Sequence, residues 1–257
     1  MTAPQREFDI VLYGATGFVG KLTAQYLTEH GGQARIALAG RSMDKLAAVR
    51  DSLGAAGQTW GLIQADASSQ HTLDAMAERT RVIVTTVGPY LKYGLPLVAA
   101  CAAAGTDYAD LTGEPEFVDR TYLDHHETAL STGARLLHAC GFDSIPHDLG
   151  AQFNAEQFSG ASPLHMRGYV RAVGGMFSGG TLHSALTAFG RARQTLKTAK
   201  QRVEREKAAG GTPGKRSRNE RGRPHKALGY WAVPMPTVDP VVIARSGRAL
   251  PEYGPDF

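Results

Sequence analysis

The stretch that most limits what this chain can fold into is FDIVLY, residues 8 to 13, followed at once by GATGFVG, residues 14 to 20. The apolar run predicts a buried strand, and the glycines at intervals of three, Gly14, Gly17 and Gly20, predict a tight turn into a helix. Strand, glycine turn and helix in that order form the first half of a βαβ unit. Gly14 and Gly17 would leave backbone N–H groups open to a phosphate at the helix N-terminus, with Ala15, Thr16, Phe18 and Val19 completing the loop around it. Gly20, one turn into the helix, would let helix and strand pack closely. The spacing is GxxGxxG rather than GxGxxG, and a tight turn without any ligand fits the same letters.

Strand-length apolar runs then recur: ARIALAG (34 to 40), WGLIQA (60 to 65), RVIVTTV (81 to 87), TDYADL (106 to 111) and ARLLHAC (134 to 140). Segments of helical length, rich in Ala, Leu, Glu and Lys, separate them. This alternation predicts an α/β fold, a Rossmann-type doubly wound parallel sheet over residues 1 to 150. The pattern changes after Pro146. HMRGYVRAVGGMF (165 to 177) predicts a long strand, and residues 178 to 208 a helix with Leu182, Leu186, Phe189, Leu196 and Val203 on one apolar face. Residues 209 to 224 predict a mobile loop, and proline-broken pieces follow to the end. Residues 151 to 257 are therefore expected to form a second, mixed α/β domain, one that looks incomplete at its C-terminus.

The chain has 257 residues, 42% of them apolar and 20% charged, an ordinary soluble composition with enough length for a sizeable core. MTAPQREF does not read as a signal peptide, and Leu95 to Gly105 is too short to span a bilayer, so a cytoplasmic location is expected. Cys101 and Cys140 are the only cysteines, expected to be reduced and unsuited to zinc. The net charge of +4 hides an asymmetry: residues 191 to 226 carry 13 Lys or Arg against three acids, and the rest of the chain is acidic on balance.

The ends of the predicted strands carry the chemistry. After the second strand comes Arg41, then Ser42. A guanidinium there pairs with the 2′-phosphate of NADP, whereas an NAD site needs a carboxylate for the ribose, so Arg41 favours NADP(H). A solvated Arg41 before a helix capped by Ser42 is the other reading. Asp66, after the third strand, would contact the adenine edge or serve only as a turn residue. Gly88 and Pro89, after the fourth, would let backbone approach a flat ring. Tyr90 follows on the expected nicotinamide side, as a proton donor or as a ring packed over the cofactor. In CGFDSIPHD (140 to 148), Asp143, Ser144 and His147 crowd the end of the sixth strand, with Asp143 a second catalytic candidate and also a possible helix cap. His138 and Cys140 are expected in the core. No Tyr precedes a Lys by four positions, and no HExxH or CxxC occurs, which argues against short-chain dehydrogenase and zinc chemistry.

Together DIVLYGATGFVGKLTA, ARIALAGRS, TTVGPYLKYGLPLVAACAAAGTDYADLTGE, ACGFDSIPHDLG and, more loosely, SGGTLHS resemble the saccharopine dehydrogenase-like family of NADP-dependent oxidoreductases, and within it the mycobacterial trans-acting enoyl reductase branch. The resemblance covers roughly residues 8 to 185 and carries cofactor roles to Gly14, Gly17, Gly20 and Arg41; Tyr90 and Asp143 remain candidates from the residues alone. It implies a Rossmann cofactor domain, a mixed α/β substrate domain, and hydride transfer from NADPH to an enoyl thioester held by a polyketide synthase in lipid synthesis. A saccharopine reductase-type amino-acid dehydrogenase and a non-catalytic NADP(H)-sensing or lipid-associated protein are the other readings. The basic segment 191 to 226 would then be a solvated face, a dock for an acidic acyl-carrier domain, or a peripheral contact to anionic membrane lipid. Nucleic acid is not expected.

Overall fold

The computed structural model describes residues 6–142, 144–158, 163–171, 190–209, 217, 219, 222–234, 237–254 and 257. Its centre is a six-stranded sheet in the order β3-β2-β1-β4-β5-β6. The strands are β1 (Phe8–Tyr13), β2 (Ile36–Gly40), β3 (Gly61–Gln64), β4 (Thr80–Thr85), β5 (Asp107–Asp110) and β6 (Leu136–Leu137). Every neighbouring pair is parallel, so each connection crosses back over a face of the sheet.

Both faces are covered because both sides of each central strand are apolar. In β2, Ala37 and Ala39 point into one core layer with Val11, Leu73, Met76, Leu97, Val98 and Phe117, from α3 (Gln70–Glu78), α5 (Leu95–Ala104) and α6 (Pro115–Thr132). Ile36 and Leu38 point into the other, with Leu12, Ala24, Leu46, Val49 and Trp60, from α1 (Phe18–His30) and α2 (Met43–Ser52) and the Trp60 that precedes β3. Leu12, Leu38, Leu46 and Leu73 are fully buried, each worth about 1.5–3 kcal/mol relative to exposure. Strand order reverses between β1 and β4, whose carboxyl ends lie side by side. That switch point is where open α/β sheets form a crevice.

Two matching contacts tie the amino ends of neighbouring strands. The Asp9 carboxylate accepts the Arg35 backbone N–H at 2.9 Å and its Nε and Nη2 at 3.0 Å. Asp107 takes the Arg135 backbone N–H at 2.9 Å and its guanidinium in the same way. One fixes β2 against β1 and the other β6 against β5.

Several expectations are corrected. The run 134 to 140 yields only Leu136–Leu137 as strand, and Cys140 is exposed rather than buried. Helix α7 (Ile145–Ala155) packs against the later helix Asp239–Ala249. Residues 163–171 carry no strand, and 172–177 lie outside the described residues. The predicted long helix is seen as Ala192–Ala208, but its apolar side faces outward: Leu196 is 72% exposed and Val203 42%. Thr198 and Arg202 are the buried residues of that helix, because it lies on α6 through charge pairing. Leu182, Leu186 and Phe189 lie outside the described residues, as does most of the predicted loop. A small antiparallel hairpin, His225–Ala227 with Tyr230–Ala232, follows. Among the described residues no helix is long and apolar enough to cross a membrane.

Candidate functional site

The glycine turn sits at the switch point. β2 holds it in place: Gly14 and Ala15 N–H both donate to the Ala39 carbonyl, at 2.9 and 3.4 Å, and Gly17 N–H closes the turn on the Gly14 carbonyl at 3.0 Å. Gly14 has φ +89°, a left-handed conformation that side chains disfavour, and a Cβ there would stand 2.7 Å from Val87 Cγ2 and 2.8 Å from Thr86 Oγ1. Gly17 is the N-cap of α1 and, lacking a side chain, offers no capping oxygen. The N-terminus of α1 thus carries no side-chain cap, and Phe18 at its first position is exposed. Such a terminus favours an anion through both its free donors and its dipole. Gly20 is buried against the turn: a Cβ would stand 2.8 Å from Ala15 Cα and even nearer the Gly14 carbonyl oxygen. Diphosphate fits this cradle: Gly17 puts no side chain in front of the α1 terminus, and Gly14 and Gly20 let the turn pack closely on the connection after β4 and on α1. Phe18 is 74% exposed beside it, and Thr16 and Val19 are half-buried. Ala15 is a correction: it is fully buried in the core under the turn, out of reach of a ligand.

Arg41 follows Gly40 at the end of β2 and is exposed. Gln64 Nε2 donates to its carbonyl at 3.2 Å, linking the ends of β2 and β3. Ser42 Oγ accepts the Lys45 N–H at 3.4 Å as the N-cap of α2. Asp66 Oδ1 accepts the Ser68 N–H at 2.9 Å and the Ser68 hydroxyl at 2.7 Å, the geometry of a turn. Those two bonds, and then the positive charge of Arg41, hold its carboxyl below the usual range. Tyr13 shares this corner: burial, with the charge of Asp66, pushes its hydroxyl up to about 12. Arg41 and Asp66 are thus close enough to be felt together at the β2–β3 side of the crevice.

On the β4 side Tyr90 turns away from the crevice. Its ring is 5% exposed and packs 5.7 Å from that of Phe117, and its hydroxyl donates to the Thr85 carbonyl at 3.1 Å. Burial raises its pKa well above that of a free tyrosine, with the Asp110 charge adding to this. The hydroxyl is thus committed inward, to the end of β4. Gly88 is exposed and Pro89 half-buried, on the connection that touches Gly14. Thr86 joins the two loops: its N–H donates to Tyr13 O at 3.0 Å and its Oγ1 to Gly14 O at 3.2 Å.

Further along the carboxyl edge lie residues with no assigned role in the sequence reading. Glu114, 6% exposed, accepts the Tyr90 and Leu91 N–H groups on its two carboxylate oxygens, both at 2.9 Å. Asp110, 1% exposed, accepts the N–H groups of Thr112 at 2.9 Å and Ala139 at 3.0 Å, and meets His138 Nδ1 at 2.7 Å. His138 Nε2 in turn lies 2.8 Å from Thr121 Oγ1. The only signal in the sequence is an acid at the end of a strand and another four residues on, in TDYADLTGE.

Asp143 lies outside the described residues. Its neighbours Ser144 and His147 turn away from the crevice: Ser144 Oγ donates to Asp239 Oδ1 at 3.4 Å, and His147 Nδ1 is 4.0 Å from the same oxygen. Asp148 accepts the Ser246 hydroxyl at 2.9 Å. This segment docks the helix Asp239–Ala249. The basic helix Ala192–Ala208 is partly neutralised on α6: Arg202 bonds Asp119 and Glu206, each at 2.9 Å, and Arg191 Nη2 meets the buried Glu116 at 2.6 Å. A cleft of about 510 Å³ between these helices and α6, lined by Val118, Tyr122, Val203 and Val241 among others, touches neither the glycine turn nor the connection after β4. Among the described residues no His, Cys, Asp or Glu group could hold a metal ion.

Comparison with known proteins agrees with this geometry. A family model described as the saccharopine dehydrogenase NADP binding domain matches residues 10–137. A Mycobacterium tuberculosis protein assigned as a trans-acting enoyl reductase is 61% identical over 189 residues, covering 72% of this chain and 45% of that protein. A Mycobacterium bovis trans-acting enoyl reductase is 62% identical over 149 residues, 58% of this chain and 36% of its own length. The chain thus spans less than half of these relatives. Among solved structures, apo saccharopine dehydrogenase (L-Glu forming) from Saccharomyces cerevisiae aligns at a TM-score of 0.49 and 17% identity over 58% of this chain and 31% of that one. The match over residues 10–137 places this part of the chain in the saccharopine dehydrogenase NADP-binding family, with NADP(H) as its cofactor.

Proposed function

We propose that this chain is the cofactor-binding part of a trans-acting enoyl reductase, which reduces an enoyl thioester carried by a polyketide synthase in the making of polyketide-derived lipids. The observation that carries the reading is the left-handed Gly14 turn opening onto the uncapped N-terminus of α1. The identity to trans-acting enoyl reductases supports the reaction class.

In this reading the α1 amides at Phe18 and Val19 bind the diphosphate, Arg41 pairs with the 2′-phosphate, and the backbone at Gly88 and Pro89 forms the wall for the nicotinamide. Ser42 and Asp66 hold the adenosine end through the loops they cap. NADPH, when bound, would supply the hydride for the β-carbon of the enoyl thioester, and a proton from the protein or solvent reaches the α-carbon. The chain's contribution is to hold the ring and the double bond in register and to keep the Tyr90 hydroxyl out of the reaction. Asp143 is the remaining sequence-based candidate for the proton. The exposed Arg193 and Lys197, which lie on the outer side of the basic helix, suit an acidic carrier domain.

Deuterium-labelled NADPH tests this directly. Label should appear on the β-carbon of an enoyl thioester, with faster turnover when the thioester is carried on an acyl-carrier protein than when it is free. Label passing to an imine instead would move the protein to the amino-acid dehydrogenase class. NADPH binding without transfer to either would make it a binding protein.

A further inference from the structure

We infer that Glu114 is a positioning residue for the nicotinamide half of the cofactor site, acting through the connection between β4 and the single-turn helix α4 (Tyr90–Tyr93). The inference rests on the NADP(H) reading above and concerns which residue shapes that site.

The connection Thr86–Pro89 has to present a flat, unobstructed wall, yet little in its own sequence fixes it. Gly88 is exposed and carries no side chain, and α4 is too short to be stable alone. One end is pinned by Thr86 to the glycine turn, through Tyr13 O and Gly14 O. The other end is pinned by Glu114, each of whose oxygens takes one of the first two amides of α4 at 2.9 Å. A carboxylate in front of two helix-terminal amides makes charge-assisted bonds and complements the helix dipole. Val87 is held by its N–H to Thr85 Oγ1 at 3.2 Å, and Gly88 and Pro89 lie between two anchors, one at the glycine turn and the other in the loop after β5.

Glu114 is itself held. Its N–H donates to Thr112 Oγ1 at 3.1 Å, and Thr112 N–H donates to Asp110, which also holds Ala139 and His138 after β6. Hydrogen bonds, linked by short stretches of backbone, therefore join the carboxyl ends of β1, β4, β5 and β6, and two buried carboxylates are their nodes. Burying a carboxylate is costly unless it is well bonded, and a buried polar network that is fully satisfied specifies one arrangement. The arrangement specified here is the height of the Gly88–Pro89 wall above the glycine turn.

The test compares NADPH with 2′,5′-ADP, which carries the adenosine and 2′-phosphate but no nicotinamide, by calorimetric titration of the 257-residue wild type and of Glu114→Ala and Glu114→Gln. Glu114→Ala should weaken NADPH about tenfold while 2′,5′-ADP changes by less than about twofold. Glu114→Gln keeps one acceptor oxygen and should fall between. If the alanine variant does not fold, the ratio of the two affinities in the glutamine variant decides. Equal loss for both ligands, or no loss for NADPH, overturns the inference. A wild type that binds neither ligand overturns the NADP(H) reading and the inference with it.

Discussion

Gly20 of α1 lies against the carbonyl of Gly14, leaving no room for a side chain between the helix and the turn that precedes it. A Cβ at residue 20 would also stand 2.8 Å from Ala15 Cα, and all these neighbours are backbone atoms that cannot rotate away. Gly20→Ala is therefore expected to destabilise the fold by about 1–3 kcal/mol, despite the better helix propensity of alanine. Denaturant unfolding measures it. NADPH affinity should fall as well, because α1 must shift away from the turn that aims its amides.

Arg41 is exposed at the end of β2, with Asp66 near enough to feel its charge. Arg41→Ala should weaken NADPH by about tenfold or more and leave NADH within about twofold. Paired titrations with the two cofactors check this, and an unchanged preference would remove the 2′-phosphate assignment.

Tyr90 separates structure from catalysis. Its hydroxyl bond to Thr85 O is internal, so Tyr90→Phe should cost about 1 kcal/mol of stability and leave kcat for hydride transfer nearly unchanged. A collapse of kcat with unchanged stability would return Tyr90 to the reaction.

The Asp9–Arg35 contact gives the low-pH behaviour. Arg35, first by its side chain and then by its backbone amide, holds the Asp9 carboxyl well below the usual range. A carboxyl with a depressed pKa in the folded state stabilises the fold above its unfolded value, about 3.9, and this is lost as pH falls through the folded value. Asp9→Asn should therefore lower the melting temperature at pH 7, and the gap from wild type should close progressively below about pH 4. A gap that stays constant down to pH 3 would contradict the assignment.

Much of this was legible in the sequence because it is local. The apolar run at 8 to 13 is β1, and the glycine spacing lies at the turn that Gly14 and Gly20 require. The rest depends on partners distant in the chain. Tyr90 looked like a cleft residue because it follows a strand, but Glu114, 24 positions away, draws its amide down and its ring packs on Phe117. The apolar spacing of Leu196 and Val203 predicted a buried face, yet ion pairing of Arg202 to Asp119, 83 positions away, turned the polar side inward. The sequence around Ser144 and His147 points to the crevice because nothing nearby in the chain reveals Asp239.

Hydrogen exchange with and without NADPH tests the central claim most directly, because it reports where on this chain the cofactor sits. Protection is expected in peptides covering Gly14 to Gly20 and Thr86 to Leu91, and to a smaller extent around Arg41, with the helix Ala192–Ala208 unchanged. NADPH binding that leaves Gly14 to Gly20 unprotected would contradict the account.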